Sequence, residues 1–318
     1  MKFSEHAALA PTAVIDTLGK VQNFLPLNLT GKVYVVGSGS SYSQAVYLCQ
    51  LINDHLPQAA ACINPYSFVR HTRFTDRDTC IQFTQEGKRN DNICPLRYAK
   101  RQGGRTILFT SRNDIPLARE ADEVYWYAPE TDKVLVASMS YASGYAAALN
   151  YVNAQLRSMN LPEIKIEKER LSEKMRAAME VEYTTSSDFS VFLYAGYAAS
   201  VAIEGALKVN ECVLQDSEAY EIKHYSHGKH FVSWNKPRLF NVLYHKTDSD
   251  LVELYKQTIF ENHHVVNLMS SDLPKETAVF EWITAMLAFI AQSMRHKGIE
   301  LEDIPIRDKI RLPHEFIY

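Results

Sequence analysis

Apolar residues gather along the chain in short runs that polar or glycine-bearing turns interrupt. KVYVVG (32–37), TCIQFT (79–84), RTILFT (105–110) and EVYWYAP (123–129) are the first four. Each is strand-length, and most are rich in β-branched and aromatic residues, so each predicts a strand. Between them lie segments of helical character, among them YSQAVYLCQLIND (42–54) and the basic PLRYAKRQGG (95–104); RTILFT leads into SRNDIPLAREAD (111–122). Strands alternating with helices of about a dozen residues predict βαβ units and a parallel sheet.

The pattern then changes and restarts. LVASMSYASGYAAALNYVNAQLRSM (135–159) predicts one long helix whose small residues allow close packing. EIKIEKERLSEKMRAAMEVEYTTSS (163–187) predicts a charged helix, free of Pro and Gly and without an obvious core. Beyond it VFLYAG (191–196), RLFNVLYH (238–245) and HHVVNLMS (263–270) predict strands. VAIEGALKVNECVL (201–214), LVELYKQTIFEN (251–262) and FEWITAMLAFIAQSMRHKG (280–298) predict helices. The order strand, small-residue turn, helix thus occurs at 33–52 and again at 191–214, which points to a duplicated α/β unit. The expected division is 1–163, a connecting helix at 164–182, and 183–318.

Composition narrows the function class. The chain has 318 residues, 46% hydrophobic and 22% charged, enough for two domains with full cores. A net charge of −3 argues against a nucleic-acid surface, which needs a concentrated basic face. Five scattered cysteines without a CxxC pair read as reduced, buried thiols. The N-terminus lacks the apolar core of a signal peptide, and the apolar WITAMLAFIAQSM reads as a core helix, so a cytoplasmic protein with no membrane partner is expected.

Three motifs carry candidate chemistry. GSGSSYS (37–43) joins a predicted strand to a predicted helix, where Gly39, Ser40 and Ser41 offer backbone N–H groups and hydroxyls to an anion. It is neither a dinucleotide fingerprint nor a P-loop. His224, His227 and His230 lie three apart, and His263 and His264 follow later. Without a carboxylate motif such as HExxH, a metal site is the minor reading, and no cofactor is expected. Lys208 and Glu211, three apart, share a face of a predicted helix that is otherwise small and apolar. Glu204 and Lys208 could form an ordinary surface ion pair. A helix suited to burial would instead carry Lys208 and Glu211 to a sheet crevice, where their pKa values can be tuned.

GSGSSY, VAS (136–138), EGALKVNE and EAY…HG together resemble the sugar isomerase (SIS) domain family. Within it they resemble the isomerase half of glucosamine-6-phosphate synthase and the fructosamine-6-phosphate deglycases. The resemblance implies two tandem SIS domains, each a flavodoxin-like parallel sheet between helices, acting on a phosphosugar or ketosamine as a homodimer. It also implies that Ser40, Ser41, Val136 and Ser138 bind the sugar and that Glu211 moves a proton between C1 and C2. Lys208 stands beside that base, and His227 opens the ring, reaching across from the partner subunit. Lys309 resembles the family's late lysine.

The family's phosphate loop, Ser-x-Ser-Gly-x-Thr, aligns with Thr84-Gln85-Glu86-Gly87-Lys88-Arg89. Glu86 puts a carboxylate where a hydroxyl should meet phosphate. Either Lys88 or Arg89 holds the phosphate, or the ligand is not the usual 6-phosphosugar. No cysteine follows Met1, so glutamine hydrolysis is not expected, which leaves deglycation, deamination or isomerisation. A non-catalytic regulator that binds a sugar phosphate is the alternative.

Overall fold

The computed structural model describes residues 2–20, 22–28, 30–85, 87, 90–112, 114–127, 136–234, 236–261 and 265–300. Two short helices, α1 (Phe3–Ala7) and α2 (Ala10–Leu18), precede the first strand. The chain then folds as two compact units.

The five-stranded unit comprises Thr12–Lys133 and Met139–Lys165. Its strands are β1 (Val33–Val36), β2 (Ala60–Ile63), β3 (Thr79–Phe83), β4 (Arg105–Thr110) and β5 (Glu123–Trp126). All pair in parallel, in the order β2-β1-β3-β4-β5. Its helices are α3 (Ser40–His55), α4 (Pro65–His71), α5 (Asn90–Arg101) and α6 (Met139–Ser158). β3 is buried along its whole length, as a central strand covered on both faces must be. Phe109 of β4 stacks on Tyr125 of β5 at 5.1 Å and meets Tyr151 of α6 edge-on at 5.5 Å. Gln44 of α3 donates to the Ser140 and Tyr141 carbonyls at 3.2 and 2.9 Å, fixing α3 against α6.

The four-stranded unit comprises Met1–Pro11, Val134–Ser138 and Ile166–Ile304. Its strands are β6 (Phe189–Tyr194), β7 (Asp216–Glu221), β8 (Leu239–His245) and β9 (Val265–Ser271), all parallel, in the order β7-β6-β8-β9. Around them lie α7 (Lys168–Glu180), α8 (Ala198–Lys208), α9 (Ile222–Tyr225), α10 (Lys229–Trp234), α11 (Ser249–Lys256) and α12 (Lys275–Lys297). Among the described helices, α12 alone is long and apolar enough to cross a membrane, yet 89% of its apolar window is buried inside the protein. It is the core helix of this unit.

The α/β class, the two parallel sheets and their flanking helices match the expectation. Several elements differ. β2, α4 and β7 were not foreseen; β7 is the polar DSEAYE, only partly buried at a sheet edge, and so shows no apolar run. The long helix starts at Met139, leaving Val136–Ser138 outside it. The charged helix shortens to α7, whose buried Leu171, Met175 and Ala178 pack it against α12. The helix expected over 201–214 ends at Lys208, and Val209–Val213 widens into a π turn closed by Leu214 in the left-handed region, φ 52°.

Close packing at α8 is testable. A Cβ on Gly205 would lie 2.5 Å from the Phe192 ring, which is fully buried. Gly205→Ala is therefore expected to cost roughly 1–3 kcal/mol, seen as a lower urea midpoint at unchanged slope.

Candidate active site

In the five-stranded unit, β1 and β3 are neighbours with Val36 opposite Gln82, so the segments that follow them leave the same carboxyl edge. The chain goes from β1 outward to β2 and returns to β3 on the other side. Strand order therefore reverses between β1 and β3, where open α/β sheets form their ligand crevice. Gly39 occupies φ +55°, a conformation open to glycine, and N-caps the sixteen-residue α3. Ser40 and Ser41 are half-buried in its first turn, where the helix dipole favours an anion; the Ser41 N–H donates to the Ser38 carbonyl at 3.1 Å. After β3, Thr84 is buried, and its hydroxyl accepts from the Gly87 N–H at 3.1 Å. The Gln85 carbonyl accepts from Thr110 Oγ1 at 3.3 Å. The structure thus brings Gly39, Ser40, Ser41, Thr84 and Gln85 to one end of one sheet. Lys88, Arg89 and Lys309, with Glu86, His263 and His264, lie outside the described residues.

In the four-stranded unit, α8 starts beyond the carboxyl end of β6 and runs back, so Lys208 and the π turn stand near the amino ends of β6 and β7. Lys208 is fully buried. Its Nζ lies 2.8 Å from Glu204 Oε1, also fully buried, and donates to the Ala137 carbonyl at 2.7 Å. The ion pair imagined as an exposed i, i+4 contact is an internal one. Burial works to lower the Lys208 pKa, but the Glu204 carboxylate, with smaller contributions from Cys212 and Glu211, raises it above the usual lysine value.

Glu211 emerges from the π turn. π turns arise where a helix gains a residue, and they recur at functional sites. Glu211 keeps solvent access while Lys208 faces inward, so the two do not share one face. Protein packed around the carboxylate desolvates it and, with Glu204, raises its pKa; the Lys208 ammonium pulls the other way but does not prevail. Burial likewise pushes the Cys212 thiol up to about 12, which keeps it protonated and unreactive.

Val136 and Ser138 are both buried in the segment before α6. His227 is exposed on the loop after α9, its ring centroid 6.4 Å from that of His224. It follows the carboxyl end of β7, whereas Glu211 precedes the amino end. A six-residue strand, roughly 20 Å, separates them, so one chain does not bring His227 to Glu211. A cavity of about 720 Å³ adjoins the π turn, with Asn210 and Leu214 in its wall; Asp188, Asp216 and Glu218 against Lys297 make it hostile to phosphate.

Sequence reasoning missed His6 and undervalued Glu204. His6 Nδ1 lies 2.8 Å from Ser138 Oγ, and both side chains are buried. No local signal marks His6, because its partner is 132 positions away.

Residues 27–157 match the model of the SIS domain. A glutamine–fructose-6-phosphate aminotransferase of Caldanaerobacter subterraneus subsp. tengcongensis is 26% identical over 249 residues, covering 69% of this chain. The chain spans about 40% of that relative's length. Among solved structures, a glucosamine-6-phosphate deaminase of Thermotoga maritima is similar with a TM-score of 0.78 at 18% identity, covering 98% of both chains. The C-terminal domain of glucosamine-fructose-6-phosphate aminotransferase of Francisella tularensis has a TM-score of 0.78 at 15% identity, covering 94% of this chain and 97% of that one. At such identities the two structures speak for the fold. Residues 27–157 of this chain are a SIS domain, homologous to that of the aminotransferases.

Proposed function

We propose that the protein is an enzyme that moves a proton within a phosphorylated sugar or aminosugar, with Glu211 as the base. The observation that carries this reading is the Glu211 carboxylate, raised above its usual range on a π turn beside an internal ammonium. A base for a carbon acid works best when its pKa approaches the working pH, and positive charge nearby stabilises the enediolate that forms. Proton abstraction at one of C1 and C2, followed by return to the other, interconverts aldose and ketose. The same step serves deamination or deglycation when an amine sits at the neighbouring carbon.

The second unit is proposed to be a second SIS domain. Its strand order β7-β6-β8-β9 repeats β2-β1-β3-β4, and Gly196 repeats the φ of +55° found at Gly39. His227 is proposed as the ring-opening acid, contributed by a second copy of the chain, because its own Glu211 stands at the far end of β7. Lys88 or Arg89 is proposed to hold the phosphate that α3 and its serines receive.

The experiment is a thermal-shift screen of fructose 6-phosphate, glucosamine 6-phosphate and fructosamine 6-phosphates against their unphosphorylated forms, followed by turnover assays. A ligand that binds only the folded state at 100 times its Kd adds about 2.7 kcal/mol, so phosphorylated members should raise Tm and one should turn over. Shifts with the unphosphorylated forms alone would remove the phosphate from this reading. Binding without turnover of any member would leave a regulator.

A further inference from the structure

The segment 136–138 belongs to no helix or strand, yet it lies against the most demanding group in its unit. The Ala137 carbonyl accepts from Lys208, whose ammonium also faces Glu204. A buried ammonium tolerates little displacement of such partners, since each lost acceptor leaves charge uncompensated in a poorly polarisable interior. The next residue, Ser138, is tied by its hydroxyl to His6 of α1, which packs against α12. His6 is 1% exposed, so its ring is a fixed part of the interior.

We propose that His6 is a positioning residue for the proton-transfer site. It anchors Ser138, which sets the Ala137 carbonyl, which with Glu204 holds the Lys208 ammonium at the start of the π turn that carries Glu211. The inference rests on the reading of Glu211 as the base. His6 touches no substrate in this scheme. It acts through one hydroxyl and one carbonyl, and the effect is on the chemical step. Errors of an ångström in such a site cost up to ~10²-fold in rate.

The test compares kcat and KM of the wild type, His6→Leu, His6→Asn, Ser138→Ala and the double variant His6→Leu/Ser138→Ala, using the phosphosugar that the wild type converts. His6→Leu should lower kcat by ~10-fold or more with KM within about threefold. His6→Asn places a polar atom near that of Nδ1 and should recover most of the loss. The double variant should be no slower than the slower single variant, because both remove one bond. Should His6→Leu fail to fold, Ser138→Ala and His6→Asn carry the same measurement. Wild-type kcat in His6→Leu or, if that variant does not fold, in Ser138→Ala would overturn the proposal. So would losses that add in the double variant, or an Asn variant as slow as the Leu one. A wild type that turns over no phosphosugar would overturn the catalytic reading itself, and that result is distinct because it appears without any change at His6.

Discussion

Glu211→Gln is expected to lower turnover by ~10²-fold or more while sugar-phosphate binding survives. Glutamine keeps the shape and the hydrogen-bonding reach but cannot take a proton from carbon. The pH profile carries the same information. The carboxylate is raised by desolvation and by Glu204, against Lys208, so the acid limb of kcat/KM in the wild type should ascend above the pH at which a free glutamate ionises. In the glutamine variant that limb should vanish. Stability moves the other way. A carboxyl with a raised folded pKa stabilises fully below its unfolded pKa, and that contribution is lost as pH rises through the folded value. Above that folded value the ionised Glu211 is therefore a burden on the native state, and there Glu211→Gln should unfold at the same or a higher denaturant concentration. A variant that loses both activity and stability would mark Glu211 as structural. Unchanged turnover would place the base at another residue.

Much of this architecture is legible in the sequence because local patterns and tertiary demands agree. TCIQFT and RTILFT carry apolar residues on both faces (Cys80, Ile81 and Phe83; Ile107, Leu108 and Phe109), which suits strands buried on both faces, and they form β3 and β4. GSGSSYS announces a strand-to-helix turn, and the turn needs glycine at Gly39, where φ is positive. Agreement ends where the deciding partner is remote. DSEAYE looks like a loop, because a polar edge strand borrows its stability from β6 and not from its own side chains. Glu204 and Lys208 have the spacing of any surface pair; only the fold around α8, with the Ala137 carbonyl, makes them internal. Spacing also placed Lys208 and Glu211 on one face, which holds for 3.6 residues per turn and fails once Val209–Val213 widens. The candidate residues follow from the resemblance, whereas their division between an internal charge pair and an exposed carboxylate is a property of the folded chain.

The internal pair sets the second large effect. Lys208→Met or Glu204→Leu is expected to cost about 3–5 kcal/mol, because each leaves one charge buried without its counterion. The Glu204 carboxylate holds the Lys208 pKa above the usual lysine value against its burial. The double variant Glu204→Leu/Lys208→Met should recover most of the stability, since apolar groups of similar volume replace a buried pair at little net cost. Its turnover should not recover, because the ammonium beside Glu211 is gone. Denaturant unfolding and kcat measured on the three variants separate the two roles. A double variant as unstable as the singles would mean that the fold needs these polar atoms for more than mutual charge compensation. A double variant with wild-type kcat would remove Lys208 from the chemistry and leave Glu211 to act without a neighbouring cation.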